Sequence, residues 1–487
     1  MTRHAPCVAL LSGLIVIAPA AFEHALADFI AFKRGQMPTE FVALETALAG
    51  AEGCDDAERL KRALFAAWRE RGAQYALLVG DADVLPVRYM VLDRCTPEAF
   101  DYAFYPSDLY YADLARMDGS FEDWNARKDG FHAGYFGEVR GEKHKDDPIN
   151  FDQVDYLPEI AVGRWPVSTP EEAARVAAKS VAYERGILDG THTAARTAGL
   201  VAVGGWVDCR AFMDRQAARL PAGWRAERRY DPPPGESAAP APPAPPAATA
   251  APDQPAAEKP GDAIAGAAPP PPPTEAEVVA LLNAGVGLVL HAGHGNDDCW
   301  ERCISIGSLA RIQNGDRLPV MISAGCSTAA FAALAPYQGY TDASGVEHAG
   351  TNAGEKFTAP PPPPAPYQRG AHNITGLGEA LLRAGPNGAV AYIGCNTGSQ
   401  PCGLTLLEGF VKGLSMAPEP RLGDLWNGAI RHYWTKERLA TLRPNADWYP
   451  PSIFFQGMKF MVFGDPSLRI AGPQTAPPEG RSRGPSQ

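Results

Sequence analysis

A His-Gly pair (His294, Gly295) and a Gly-Cys pair (Gly325, Cys326) each follow directly on a hydrophobic run, in GLVLHAGHGND and LPVMISAGCST, the histidine and the cysteine standing 32 residues apart. If the two runs are neighbouring strands, a thiol and an imidazole face one another. The thiol can then attack a carbonyl carbon while the imidazole manages protons and passes one to the leaving amine. Small residues beside both groups let a substrate approach the backbone. The amides of Gly295 and Cys326 are expected to hold the oxyanion, an effect worth about 3–4 kcal/mol per donor in well-studied cases. A helix beginning near Ser327-Thr328 would turn its positive end on Cys326 and favour the thiolate.

Each of these residues also has a plainer reading. A cysteine after a buried strand is most often a small hydrophobe, and a lone loop histidine is most often a satisfied polar group. Cys395, in AVAYIGCNTGSQPCG, also follows a strand and a glycine and is the internal rival to Cys326. His291 is expected within its strand, pointing away from the site. Asp81, Ser107 and Asp108 read as turn and capping residues, and Asp465-Pro466 as a tight turn. His291, His294, Cys299 and Cys303 fall within thirteen residues and mix donors that zinc accepts. A zinc site is therefore an alternative, although HxxH and CxxxC are not a standard structural pair. A second alternative is a non-catalytic module that keeps the fold and binds a partner.

The groups need elements to position them, and the chain alternates strand and helix patterns. Leu14 to Ile17 reads as a strand, Ala20 to Lys33 as a helix and Phe41 to Leu44 as a second strand. The first 27 residues also fit a secretory leader, with Arg3, an apolar stretch and Ala-x-Ala sequences. A leader would imply a secreted or periplasmic protein, and a strand a cytoplasmic one. Asp55 to Arg71 places Leu60, Leu64, Ala67 and Trp68 on one helical face behind a capping box of Asp55 and Glu58. Strands follow at Tyr75 to Val79 and Ile160 to Val162. The next helix has Thr169 as cap, Pro170 in its first turn and Gly186 after its end. After residue 190 come a strand at Leu200 to Val203, a helix from Arg210 to Leu220, and a helix capped by Thr274. Buried strands are expected at Val286 to Leu290, Val320 to Ser323 and Ala389 to Ile393. Strands separated by amphipathic helices predict an α/β fold with mostly parallel sheets covered on both faces. Functional groups then gather beyond the carboxyl ends of the strands.

The organisation is two α/β units side by side, 14–190 and 195–470. A Pro/Ala-rich insertion at 232–273 has no means of building a packed core. A second irregular stretch, 338–372, lies between two strands of the site and is placed to act as a lid. Residues 471–487 read as a disordered tail. The net charge is −12 and the pI about 5.4, with no basic run. Nucleic acid is therefore not the expected partner. No apolar run reaches the roughly 18–20 residues of a membrane span. Nine cysteines in so long a chain do not make a small disulfide scaffold.

The pattern of hydrophobic strand, His-Gly, spacer, hydrophobic strand and small-Cys resembles that of the caspase, legumain and gingipain cysteine peptidases. Other segments narrow the resemblance to gingipains: YALLVGDADVLP (75–86), SDLYY (107–111), PEIAVGR (158–164) and FGDPSLR (463–469) stand in that family's order. The resemblance covers roughly residues 14–470, without the proline-rich insertions. It implies an endopeptidase acting on protein or peptide substrates, with two caspase-like α/β/α subdomains, the second bearing His294 and Cys326. It also places the nucleophile on the strand after the His-Gly strand, which favours Cys326 over Cys395. Family members orient the histidine with an acidic residue near the PEIAVGR block, so Asp155 and Glu159 are both candidates. No organic cofactor is implied, and calcium is admitted only by family habit.

Overall fold

A computed structural model of the protein describes residues 13–93, 102–128, 133–140, 146–232, 269–351, 361–369, 375–445 and 449–471. Most of the Pro/Ala-rich insertion (233–268), part of the second irregular stretch and residues 472–487 lie outside them.

Ten strands build one sheet: β1 (Gly13–Ala18), β2 (Thr39–Ala43), β3 (Ala73–Val79), β4 (Ala161–Trp165), β5 (Thr197–Ala202), β6 (Arg225–Tyr230), β7 (Leu288–Ala292), β8 (Val320–Ser323), β9 (Ala391–Cys395) and β10 (Phe460–Phe463). Their order is β2-β1-β3-β4-β10-β9-β8-β7-β5-β6. β10 pairs in parallel with β4 but antiparallel with β9, Cys395 lying opposite Phe460. Every other pair is parallel. The sheet therefore has two halves of opposite direction joined at β10. Gly13–Ala18 pairs on both sides, so the strand reading of this segment holds.

Side chains alternate between the faces, as a period of two requires. Ile15, Leu78, Leu200, Leu290 and Ile322 enter one core, and Val16, Leu77, Val201, Val289 and Met321 the other. Helices α2 (Asp56–Arg71), α4 (Arg210–Arg219), α7 (Leu404–Met416) and α8 (Leu422–Lys436) cover the first face. Helices α1 (Glu23–Arg34), α3 (Pro170–Leu188), α5 (Glu275–Ala284) and α6 (Leu377–Arg383) cover the second. The caps of α2, α3 and α5 are those expected: Asp55, Thr169 and Thr274 each accept the amide three residues on.

The structure departs from expectation at several elements. α3 passes through Gly186 to Leu188, and the chain turns at Gly190 with φ +71°. β6, sequence RAERRY, was not foreseen, because a charged strand at a sheet edge lacks the hydrophobic alternation of an inner one. β10, the joining strand, was seen only as part of the FGDPSLR block. No helix starts after Cys326; Ser327 sits at φ +55°, in the left-handed region, and 326–329 form turns.

Buried ion pairs account for two of the short blocks. Arg164 donates from Nε and Nη2 to Asp108, both at 2.7 Å, and from Nη1 to the Gly80 carbonyl at 2.9 Å. Lys33 pairs with Glu184 at 2.5 Å and Asp465 at 2.6 Å, all three side chains fully buried or nearly so. The stretch after Cys326 is fastened to the first half. Tyr89 and Phe104 donate to the carbonyls of Ala333 and Ala335, and Gln368 N–H donates to Ala82. Within it lie three short strands, Tyr340–Asp342, Glu347–His348 and Gln368–Arg369. The described part of the expected lid is thus a strap between the halves.

Candidate active site

β7 and β8 are neighbours, with His291 level with Ser323. The loops that follow them touch through glycine. A Cβ built on Gly295 would stand 2.5 Å from Thr328 Cγ2 and 3.0 Å from the Cys326 carbonyl oxygen. One built on Gly325 would stand 3.3 Å from both the Gly293 carbonyl oxygen and Gly295 Cα. Side chains at these positions would push the two loops apart. The sequence thus brings the His-Gly and Gly-Cys segments into backbone contact at the carboxyl ends of adjacent parallel strands.

Cys326 is partly exposed. Its Sγ accepts the Ser399 N–H at 3.2 Å, and its thiol reaches the Ser399 carbonyl at 3.6 Å. The sulfur is thus held by a backbone donor and a backbone acceptor of one residue, in place of the helix end expected beside it. The donor comes from the loop after β9, tied to the Cys326 loop by Ser327 N–H to the Thr397 carbonyl (2.8 Å) and Ala329 N–H to the Cys395 carbonyl (3.0 Å). Ser399 was not singled out in the sequence, because a backbone donor carries no residue signature.

His294 is partly exposed, and its Nε2 lies 2.9 Å from the Gly205 carbonyl oxygen. A carbonyl only accepts, so Nε2 carries the proton and Nδ1 offers its lone pair. Gly205 stands in the turn after β5, with φ +99°, and a Cβ there would lie 3.7 Å from His294 Cδ2. This partner is again a backbone atom.

The two carboxylates implied by the resemblance stand elsewhere. Glu159 accepts the amides of Leu114 (2.6 Å) and Ala115 (3.1 Å), and burial raises its carboxyl in spite of them. Asp155 accepts the Leu157 amide at 3.2 Å and borders a cleft with Trp434, Leu439 and Arg443. Both precede β4, which is separated from β7 by β10, β9 and β8. Four inter-strand steps amount to about 19 Å at the usual spacing. The acceptor at His294 is Gly205 and neither of these residues.

Cys395 ends β9, fully buried, and burial pushes its thiol up to about 11, so it remains a neutral thiol. His291 is also fully buried, lies flat on Trp300 with ring centres 4.3 Å apart, and meets Ser323 Oγ through Nδ1 at 2.9 Å. Desolvation lowers its pKa to about 3, so it stays neutral. It points into the core, as expected, and is not available to join His294, Cys299 and Cys303. Among the described residues no group of three His, Cys, Asp or Glu side chains is placed to hold a metal, so nothing supports the zinc alternative. No helix among them is long and apolar enough to cross a membrane.

The family model for peptidase family C25 matches residues 12–471. The fold is similar to the crystal structure of the Arg-specific cysteine proteinase gingipain R (RgpB), with TM-score 0.58 at 16% identity, over 94% of this chain and 78% of that one. It is similar also to RgpB from Porphyromonas gingivalis in a complex of pro- and mature domains, with TM-score 0.56 at 16% identity, over 94% and 79%. No curated protein matches the sequence.

Proposed function

The chain belongs to peptidase family C25 and is a cysteine-type endopeptidase, and from that premise we propose that Cys326 and His294 form its catalytic dyad. The observation that carries the assignment is the contact of the two loops through Gly295 and Gly325, which sets the thiol and imidazole segments side by side. The Cys326 thiol passes its proton to Nδ1 of His294, and the thiolate attacks the peptide carbonyl. The tetrahedral oxyanion is held by the amides of Gly295 and Cys326. Collapse expels the amine, which takes the proton from Nδ1 and leaves a thioester on Cys326. Water then adds to the thioester, giving its proton to His294. Breakdown of that second intermediate releases the carboxylic acid and restores the thiol.

The Ser399 N–H stabilises the sulfur while it is anionic, and the Gly205 carbonyl steadies the imidazole through both transfers. Gly205 thus takes the place that the resemblance gave to Asp155 or Glu159. The burial of Cys395 counts against it as the nucleophile. The test is a mixed peptide library digested by the wild type, Cys326→Ala and Cys395→Ala, with products read by mass spectrometry. Cleavage lost only in Cys326→Ala supports the dyad. Loss only in Cys395→Ala would move the nucleophile to β9, and no cleavage by folded wild type would favour a binding module.

A further inference from the structure

His294 is held by a backbone carbonyl, and a carbonyl is only as fixed as its own turn. The turn after β5 runs through Gly204 and Gly205, two residues with no side chain to anchor them. Three observations show what holds it. Asp231, one residue beyond β6, donates its amide to the Ala202 carbonyl at 3.0 Å, which extends the β5–β6 ladder and sets its carboxylate under the turn. Its Oδ2 accepts the Gly204 N–H at 2.7 Å. Arg302 donates from Nη2 to the Gly204 carbonyl at 3.0 Å and also pairs with Asp231 Oδ2. Both polar groups of the Gly204 residue are therefore clamped by one ion pair. Arg302 occupies a left-handed backbone position at φ +62°, an unusual conformation for a long side chain. Its neighbour Glu301 donates its amide to the His294 carbonyl at 3.1 Å, so the clamp reaches the histidine from two directions.

We propose that Asp231 and Arg302 are positioning residues for His294, fixing the Gly204–Gly205 turn whose carbonyl orients the imidazole. The inference rests on the assignment of His294 to the dyad. Neither residue needs to touch substrate. Without the clamp the Gly205 carbonyl drifts, and Nδ1 no longer meets the sulfur and the leaving amine in line. Misplacement by about an ångström at a reacting group costs on the order of a hundred-fold in rate.

The test compares the full chain with Asp231→Asn, Arg302→Gln and, as control, Asp214→Asn. Asp214 is a surface carboxylate near the same sheet edge, paired with Arg228 at 2.8 Å. Melting temperatures, kcat and KM on a cleaved peptide, and the pH dependence of kcat/KM and of Cys326 alkylation are measured for each. Both clamp variants are expected to lose kcat by roughly ten- to a hundred-fold, with KM within about two-fold of wild type and melting temperature unchanged. The two substitutions alter local charge in opposite senses, so a fall in both reports position and not field. The pH profiles of kcat/KM and of Cys326 alkylation are expected to differ from those of Asp214→Asn in both clamp variants, because the imidazole no longer stands in line with the sulfur.

The proposal is overturned if both variants match Asp214→Asn. It is also overturned if their activity falls only with the folded fraction while the pH limbs stay in place. A wild type that folds, cleaves nothing and leaves Cys326 unreactive removes the dyad assignment, and the clamp falls with it. A wild type that cleaves beside normal clamp variants removes the clamp alone.

Discussion

At the scale of single residues, the meeting of the two strand-end segments was legible in the sequence and their backbone partners were not. His294, Cys326 and Gly295 stand together because strand ends carry them there, and hydrophobic runs mark strand ends in a sequence. The Gly205 carbonyl and the Ser399 amide have no such mark, since any residue supplies them; only the fold says which ones arrive. Asp155 and Glu159 were named through a resemblance to other chains, and here their carboxylates serve nearby amides. Gly295→Ala is expected to retain the fold and lose at least ten-fold in peptide cleavage. Its new methyl meets the Cys326 carbonyl oxygen at 3.0 Å, and the loops must part to admit it. Cleavage assays beside a thermal melt separate this from a folding defect. His291 supplies a pH dependence of stability. Its folded pKa is about 3 against an ordinary value of 6.5. Between those values the unfolded chain takes up a proton that the folded chain does not, so stability falls as pH falls across that window. The slope from this residue approaches about 1.4 kcal/mol per pH unit. Urea titrations of His291→Phe, which keeps a ring on Trp300, are expected to have a flatter acid limb than wild type.

At the scale of elements, caps and inner strands followed from pattern, and the misses share a cause. Asp55, Thr169 and Thr274 cap the helices they were expected to cap, because N-terminal capping is local chemistry. The end of α3 was misread at Gly186 because a glycine inside a helix looks like one after it; the left-handed turn falls at Gly190. β6 escaped notice because its partner lies only on one side, where charge does no harm. The same helix α3 carries Lys179, buried, whose three ammonium protons lie among four carbonyls, those of Leu381 (3.3 Å), Leu382 (2.7 Å), Asn387 (2.7 Å) and Ala389 (3.2 Å). One side chain thereby closes the end of α6 and the turn into β9. Lys179→Met is expected to destabilise by at least about 3 kcal/mol, since it strands several buried acceptors at once. Chemical denaturation with an unchanged m-value would be the signature.

At the scale of the molecule, alternation of strand and helix was sufficient to give the layers, but the reversal of direction between the halves was not visible. It depends on β10, a four-residue run whose partners come from both halves. The Lys33–Glu184–Asp465 cluster joins α1, α3 and the turn after β10, and so fastens that central strand to the first half. Replacing Lys33 by Met leaves two buried carboxylates without their cation and is expected to cost about 3–5 kcal/mol. Calorimetry on the variant measures it, and full recovery in Lys33→Met with both acids replaced by Leu would identify the uncompensated charge as the cause. The strap that leaves the Cys326 loop has a different bearing. It begins within a few residues of Cys326 and is hydrogen-bonded to Tyr89, Phe104 and Ala82 in the opposite half. On the way, Phe331 lies against Phe463 and under the Arg164 guanidinium. Pulling the halves apart therefore draws directly on the loop that carries the sulfur. Closure of the whole sheet and the shape of the Cys326 loop are therefore a single property of this fold, and neither changes without the other.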